Sequence, residues 1–85
     1  MEKQVTARDV AQWMLDEIEK HGELYKPTAV INILSIFGSE FARIDRHSQP
    51  AIHSDVLVAL AELSGGTIRW NADSKSWTKR RLYDS

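Results

Sequence analysis

The chain has 85 residues, no cysteine and a net charge of −1, with 42% hydrophobic and 27% charged residues. This length predicts a single domain spanning residues 1–85, near the size at which one hydrophobic core only just offsets chain entropy. The composition excludes a disordered tail, and the lack of cysteine excludes disulfides and thiolate metal sites.

No segment of the chain predicts membrane insertion or export. No apolar run approaches the roughly 18 residues that a membrane span needs. The first ten residues, MEKQVTARDV, contain no apolar signal region. We therefore expect a cytoplasmic protein.

The first predicted element is an amphipathic helix that begins after Thr6 and ends at Gly22. Thr6 and Asp9 have the spacing of a capping box, in which the hydroxyl accepts from the backbone N–H three residues later. Gly22 suits the left-handed residue that closes a helix. The apolar face predicted for the core comprises Ala7, Val10, Met14, Ile18 and His21, with Trp13 beside it.

A short extended piece, Leu24–Lys26, precedes a second helix that is predicted over Pro27–Phe37. Proline disfavours helix at the residue before it and suits the first turn of the helix that follows. Gly38 is predicted to end this helix. Its apolar residues occupy more than one side, so we expect it to be buried on more than one side.

Between the second and third helices, Phe41–Ile44 alternate in polarity and are predicted as a short strand, followed by a turn-rich loop at 45–51. The third helix is predicted over residues 53–64, with His53 or Ser54 as its N-cap and two glycines as its stop. It has no Arg, Lys, Asn or Gln, the side chains that donate to base edges in a major groove.

The outer side of the third helix offers small hydroxyl and apolar groups instead. We predict that it is an interaction face for a protein partner, made of Ser54, Leu57, Val58 and Ala61. The alternative is that Leu57 packs under the preceding loop and that Val58 is one of the isolated apolar residues found on any surface.

The last predicted element is a β-hairpin within TIRWNADSKSWTKRR, residues 67–81. Trp70 and Trp77 bracket a six-residue polar turn and can pair across the two strands. Residues 67–85 hold five bases and two acids, a net charge of +3, whereas residues 1–24 hold six acids and three bases, a net charge of −3.

Three interpretations of this hairpin stay open. Its bases could bind nucleic acid as a wing, through Arg69, Lys75, Lys79, Arg80 and Arg81. Alternatively, the tryptophans belong to the core and the bases form a solvated face. In the third interpretation, the basic hairpin pairs with the acidic first helix of another copy.

The order of elements is helix, short strand, helix, helix and hairpin, which is the winged-helix order. We therefore predict an α+β, winged-helix-like fold with three helices, a C-terminal two-stranded β-hairpin and a short extra strand or loop between helices 2 and 3. The ordered core is expected at about residues 6–81. Two alternatives remain: a small α+β domain of other topology, and a helical hairpin plus ribbon that a partner chain completes.

A longer pattern also carries a resemblance. ARDVAQWMLDEIEKHGELY is followed by AV-x-x-I-x-x-x-FG-x-x-F, a helix with VL and a W-x6-W hairpin that ends in basic residues. From Thr6 to Arg81 the chain resembles a family of small uncharacterised bacterial domains with a winged-helix-like arrangement. The resemblance implies that fold and a bacterial cytoplasmic setting, and it brings no catalytic residues. Where related chains have a glycine-containing turn before the third helix, this chain has RHSQPAI.

No arrangement of residues predicts catalysis. Asp45, His47, His53 and Asp55 surround one loop, but their spacing matches no metal motif, so we predict no metal site. Ser64–Thr67 follows a helix instead of opening one, so it is not a phosphate-binding loop. We predict no enzymatic activity, no cofactor and no small-molecule substrate.

Taken together, these features predict a non-catalytic binding module. The leading hypothesis is protein–protein interaction, self-association included, through the outer face of the third helix and the C-terminal hairpin. The alternative is nucleic-acid binding led by the basic hairpin, with little sequence specificity because the neighbouring helix lacks base-reading side chains.

Overall fold

The computed structural model describes residues 5–79, which form three helices and five short strands. The predicted α+β class, with three helices and antiparallel strands, is confirmed. Arg80 and Arg81, which the expected ordered core included, lie outside the described residues. In chain order the elements are α1 (Ala7–His21), β1 (Glu23–Tyr25), α2 (Lys26–Phe37), β2 (Ala42–Ile44), β3 (Pro50–Ile52), α3 (Ser54–Ser64), β4 (Ile68–Asn71) and β5 (Ser76–Lys79).

Helix α1 begins and ends where the local signals place it. The Asp9 N–H donates to Thr6 Oγ1 at 3.2 Å, and the Thr6 N–H donates to Asp9 Oδ2 at 3.0 Å, which completes the capping box. Gly22 closes the helix at φ 87°. The prediction that His21 belongs to the core face is wrong. His21 is exposed, because it lies beyond Ile18 in the last turn, where the chain leaves the helix.

Helix α2 buries one side and not two. Ala29, Val30 and Ile33 are fully buried, whereas Ile31 and Ile36 are largely exposed. The expectation of burial on more than one side is therefore wrong. A domain of this size has one core. Leu34 and Phe37 pack against its border while partly buried, and Ile31 and Ile36 face away from it.

The C-terminal hairpin is part of a three-stranded antiparallel sheet in the order β1–β5–β4. Trp70 lies opposite Trp77, as predicted, and Leu24 lies opposite Trp77 on the other side. The sequence predicts two paired strands here, whereas the structure has three. The extended piece before α2 pairs with a strand far along the chain, and no local signal indicates such a pairing.

The segment between α2 and α3 contains two strands, where the sequence predicted a single short strand or a loop. Strands β2 and β3 form a separate two-stranded antiparallel sheet. Asp45 Oδ1 accepts from the N–H groups of His47 and Gln49 at 2.8 and 2.9 Å, and Ser48 takes a left-handed φ of 62°. Of the predicted loop at 45–51, residues 45–49 therefore form a compact turn that joins two paired strands, and residues 50 and 51 belong to β3.

The hydrophobic core lies between the helices and one face of the three-stranded sheet. Helix α1 packs mainly against α3, and the sheet contributes Leu24 and Trp77 to the core. Trp13 meets Phe37 edge-on at the border of this core, with ring centroids 6.3 Å apart. The largest fully buried helical side chains are Val10, Met14, Ile18, Val30, Ile33 and Val56.

Gly38 ends α2 with φ 88° and ψ −171°, a conformation that essentially only glycine adopts. A Cβ there would meet no atom within 4 Å, so the effect of a substitution is one of backbone strain. We expect Gly38→Ala to lower the free energy of unfolding by about 1–3 kcal/mol. Gly65→Asn is the matched control, because φ 56° and ψ 31° lie in the left-handed region that Asn tolerates. Urea denaturation compares the two, and equal losses would contradict the assigned conformations.

Candidate functional site

An open groove of about 600 Å³ lies between helix α3 and strand β4. Leu57, Ala61 and Ser64 line it from α3, and Ile68 and Trp70 line it from β4. The buried residues Leu60 and Trp77 also line it. We call this feature the ribbon groove.

The α3 side of the ribbon groove follows from helical spacing. Leu57, Ala61 and Ser64 are four and three residues apart, so they share one stripe of the helix. Ser64 Oγ donates to the Ala61 carbonyl at 3.2 Å, which satisfies that hydroxyl within the helix. Gly65 and Gly66, with φ of 56° and 87°, then lead the chain from the end of α3 into β4. The small side chains along this stripe leave space for a ligand.

The two tryptophans have different environments although they lie directly opposite each other. Their ring centroids are 4.7 Å apart. Trp77 is 8% exposed and belongs to the core, whereas Trp70 is 43% exposed and lies on the outermost strand. The prediction that tryptophans build the core therefore describes Trp77, while Trp70 presents a half-exposed ring to the ribbon groove.

Two basic residues, Lys26 and Arg69, line the ribbon groove. The Arg69 side chain alternates with those of Ile68 and Trp70, so its guanidinium points to the other face of the sheet. The Lys26 N–H donates to the Lys75 carbonyl at 2.9 Å, which ties the start of α2 to the hairpin turn. Among residues 5–79, no carboxylate lines the groove. Within the part of the chain that the structure describes, an apolar groove with a lysine at its lining and an arginine on the other face of its edge strand complements a ligand that is apolar and acidic.

The predicted interaction face is exposed but divided by the groove. All four of its residues are accessible on α3. Leu57, at 38% exposure, and Ala61 line the ribbon groove, whereas Ser54 and Val58, the latter at 58% exposure, lie outside it. Leu57 and Val58 are therefore adjacent in sequence, but Leu57 lies inside the groove and Val58 lies outside it.

The described residues of the predicted nucleic-acid-binding set do not form a single patch. Lys79 lies opposite Ile68 and Arg69 lies opposite Thr78. Successive side chains of a strand point to opposite faces, so Arg69 and Lys79 leave the sheet on opposite sides. Lys75 sits in the turn at φ 55°. Arg80 and Arg81 lie outside the described residues.

The candidate metal residues around the inserted hairpin are engaged in local structure. His53 Nδ1 accepts from the Asp55 N–H at 3.1 Å and caps α3. The nitrogen that accepts carries no proton, so its 3.7 Å approach to Asp55 Oδ2 is not an ion pair. Asp45 is held by the turn described above. Across residues 5–79 no three metal-ligating side chains converge.

The face of the sheet opposite the groove is polar. Tyr25 and Glu23 lie on it, and the Tyr25 hydroxyl donates to Glu23 Oε1 at 3.1 Å. That hydrogen bond and the nearby negative charge raise the pKa of Tyr25 above its ordinary 10.0. Tyr25 is therefore neutral at physiological pH, and this pair adds negative charge on the side away from the groove.

Leu60, Ser64 and Gly66 line the groove but belonged to no predicted site, and Lys26 lies outside both elements that were predicted to bind. Lys26 is the least expected of them. It reaches the groove because β1, the strand that precedes it, pairs with β5. The α3 stripe could have been found from the spacing of Leu57, Ala61 and Ser64. The residues that β4 contributes to the groove could not have been found in this way, because the strand order of the sheet decides which strand of the hairpin lies at the edge.

A family model described as a family of unknown function, DUF6953, matches residues 6–79. The match runs from the N-cap of α1 to the end of β5 and contains every residue of the ribbon groove. No curated protein and no solved structure matches the chain. None of the helices within residues 5–79 has the length and apolarity that crossing a membrane requires.

Proposed function

The chain belongs to DUF6953, a family of unknown function, and we propose that it is a non-catalytic module that binds a protein partner through the ribbon groove. The observation that carries the proposal is the half-exposed Trp70 ring beside Leu57 and Ala61 in an apolar groove. Exposed apolar patches of this kind mark interaction sites, and tryptophan is among the residues that dominate binding energy.

A winged-helix-like arrangement is part of this proposal. The order of helices and strands supports it, because β1 joins the hairpin β4–β5 as a third strand and α3 precedes the hairpin. The two-stranded sheet β2–β3, inserted between α2 and α3, is an addition to the winged-helix order. In this arrangement α3 and the hairpin present one continuous surface, which holds the groove. The bacterial cytoplasmic setting rests on the resemblance alone.

A protein partner is favoured over nucleic acid by charge. Asp55 and Glu62 are exposed on α3, where they would repel phosphates. The bases of the hairpin are spread over two faces, and the groove itself is apolar. Nucleic-acid binding led by Arg69, Lys75 and Lys79 is the competing function, and a mobility shift with duplex or single-stranded DNA at low salt would favour it.

The comparison of Leu57→Glu with Val58→Glu tests the proposed function. Both substitutions place a carboxylate on the exposed side of α3, but only Leu57 lines the groove. We expect Leu57→Glu to weaken partner binding at least tenfold, because it places a charge in an apolar contact, and Val58→Glu to change it little.

Light scattering measures this difference if the partner is a second copy. If the wild type is monomeric, quantitative capture from nuclease-treated extract measures it for another protein. Equal effects of the two substitutions, or no effect of either, would show that the groove is not the binding surface. Helical circular dichroism signal confirms that both variants fold.

A further inference from the structure

Strand β4 has a free edge beside the ribbon groove. In the order β1–β5–β4, the described chain pairs with β4 on one side only. An edge strand presents backbone N–H and C=O groups that can pair with another chain. The groove lies along β4 on the sheet face that carries Ile68, Trp70 and Trp77, across from α3.

Hydrogen bonds on the other side of the sheet show which backbone groups point toward β1. The Lys79 N–H donates to the Gly22 carbonyl at 3.1 Å, and the Lys75 carbonyl accepts from the Lys26 N–H at 2.9 Å. Backbone groups alternate in direction along an antiparallel strand. Trp77, midway between these two lysines, therefore also points its backbone groups toward β1.

The alternate residues of β5 consequently face β4. Thr78 is one of them, and it lies opposite Arg69, so the backbone groups of Arg69 point inward to β5. The backbone groups of Ile68 and Trp70 point the other way, toward the free edge. The side chains of these same two residues line the groove.

A strand added antiparallel to this edge would lie about 4.8 Å from β4, on the side away from β5. Its residues opposite Ile68 and Trp70 would share their face and enter the groove beside Leu57. Its residue opposite Arg69 would leave on the other face, where a carboxylate meets the guanidinium.

We propose that the partner segment is an extended peptide with the pattern apolar–acidic–apolar, which adds to β4 as a fourth strand and buries both apolar side chains in the ribbon groove. The inference rests on the protein-binding function proposed above. Strand β4 itself reads Ile68-Arg69-Trp70, which is apolar–basic–apolar. A second copy of β4 therefore lacks the complementary charge, which favours a different segment.

The experiment uses the capped pentapeptide Thr-Val-Glu-Val-Thr as its probe, titrated into the isotope-labelled chain and followed by NMR. We expect hydrogen exchange to slow at the Ile68 and Trp70 amides, with little change at Arg69, whose amide already faces β5. N-methylation of a valine nitrogen should reduce affinity at least tenfold, because that N–H pairs with β4. N-methylation of the glutamate nitrogen, which points away, should change affinity little.

Charge reversal provides a second measurement. Lysine in place of the peptide glutamate should weaken binding at least tenfold, and Arg69→Glu should reverse that preference. Failure of the unmodified peptide to bind at millimolar concentration would overturn the strand-addition inference. Equal effects of the two N-methyl groups would overturn it too. Neither result touches the proposed function, which the Leu57→Glu comparison with the natural partner tests separately.

Discussion

Replacing Trp77 with alanine is expected to lower the free energy of unfolding by about 3–5 kcal/mol, the range measured for large aromatic side chains truncated in a core. Trp77 is 8% exposed and lies on the central strand, between Leu24 and Trp70. A domain of this length has a total stability of about 5–15 kcal/mol, so the variant loses a large part of it. Urea denaturation measures the loss directly, and a fall of at least about 12 °C in Tm should accompany it.

Trp77→Phe and Trp70→Ala are the controls for this prediction. Trp77→Phe keeps a buried ring and should lose less than the alanine variant. Trp70→Ala removes a half-exposed ring from an edge strand, for which we expect a loss of about 1 kcal/mol. If the two alanine variants had equal stability, the assignment of Trp77 to the core and Trp70 to the surface would be incorrect.

Trp70→Ala is expected to weaken binding of the Thr-Val-Glu-Val-Thr peptide by about 30-fold, the equivalent of a 2 kcal/mol interface hot spot. The indole ring lines the ribbon groove, and its removal takes apolar contact from both valines of the added strand. The same NMR titration measures the affinity. Denaturation of the free chain confirms that the variant is folded at the temperature used.

Tyr25→Ala is the matched control for Trp70→Ala. Tyr25 is 46% exposed, close to the 43% of Trp70, but it lies on the opposite face of the sheet. We expect its removal to leave peptide affinity unchanged. An equal loss from both variants would show that the peptide does not use the groove.

The different roles of Trp70 and Trp77 show where sequence-based prediction reached its limit. The hairpin, its turn and the pairing of the two tryptophans were all predicted from the polar turn and the alternation of residues. Which ring is buried depends on which strand is central. That depends on β1, which adds to β5 and leaves β4 at the edge.

The candidate site was predicted in parts for the same reason. The outer face of α3 follows from helical periodicity, and Leu57 and Ala61 were assigned to it correctly as exposed residues. The sequence does not show that Leu57 and Ala61 line the groove whereas Ser54 and Val58 lie outside it, because the residues that face α3 across the groove come from β4. Lys26 was absent from every predicted site, since only the β1–β5 pairing brings it there.

The sequence by itself determined the helix ends and the turn of the hairpin. Capping residues, glycine stops and polar turns act through hydrogen bonds and backbone preferences within a few residues, so the local sequence is sufficient. The tertiary structure alone decided the third strand, the sheet β2–β3 and the ribbon groove. Strand pairing satisfies backbone groups across long stretches of chain, and the same residues can lie at the centre or at the edge of a sheet, depending on which distant strand joins them.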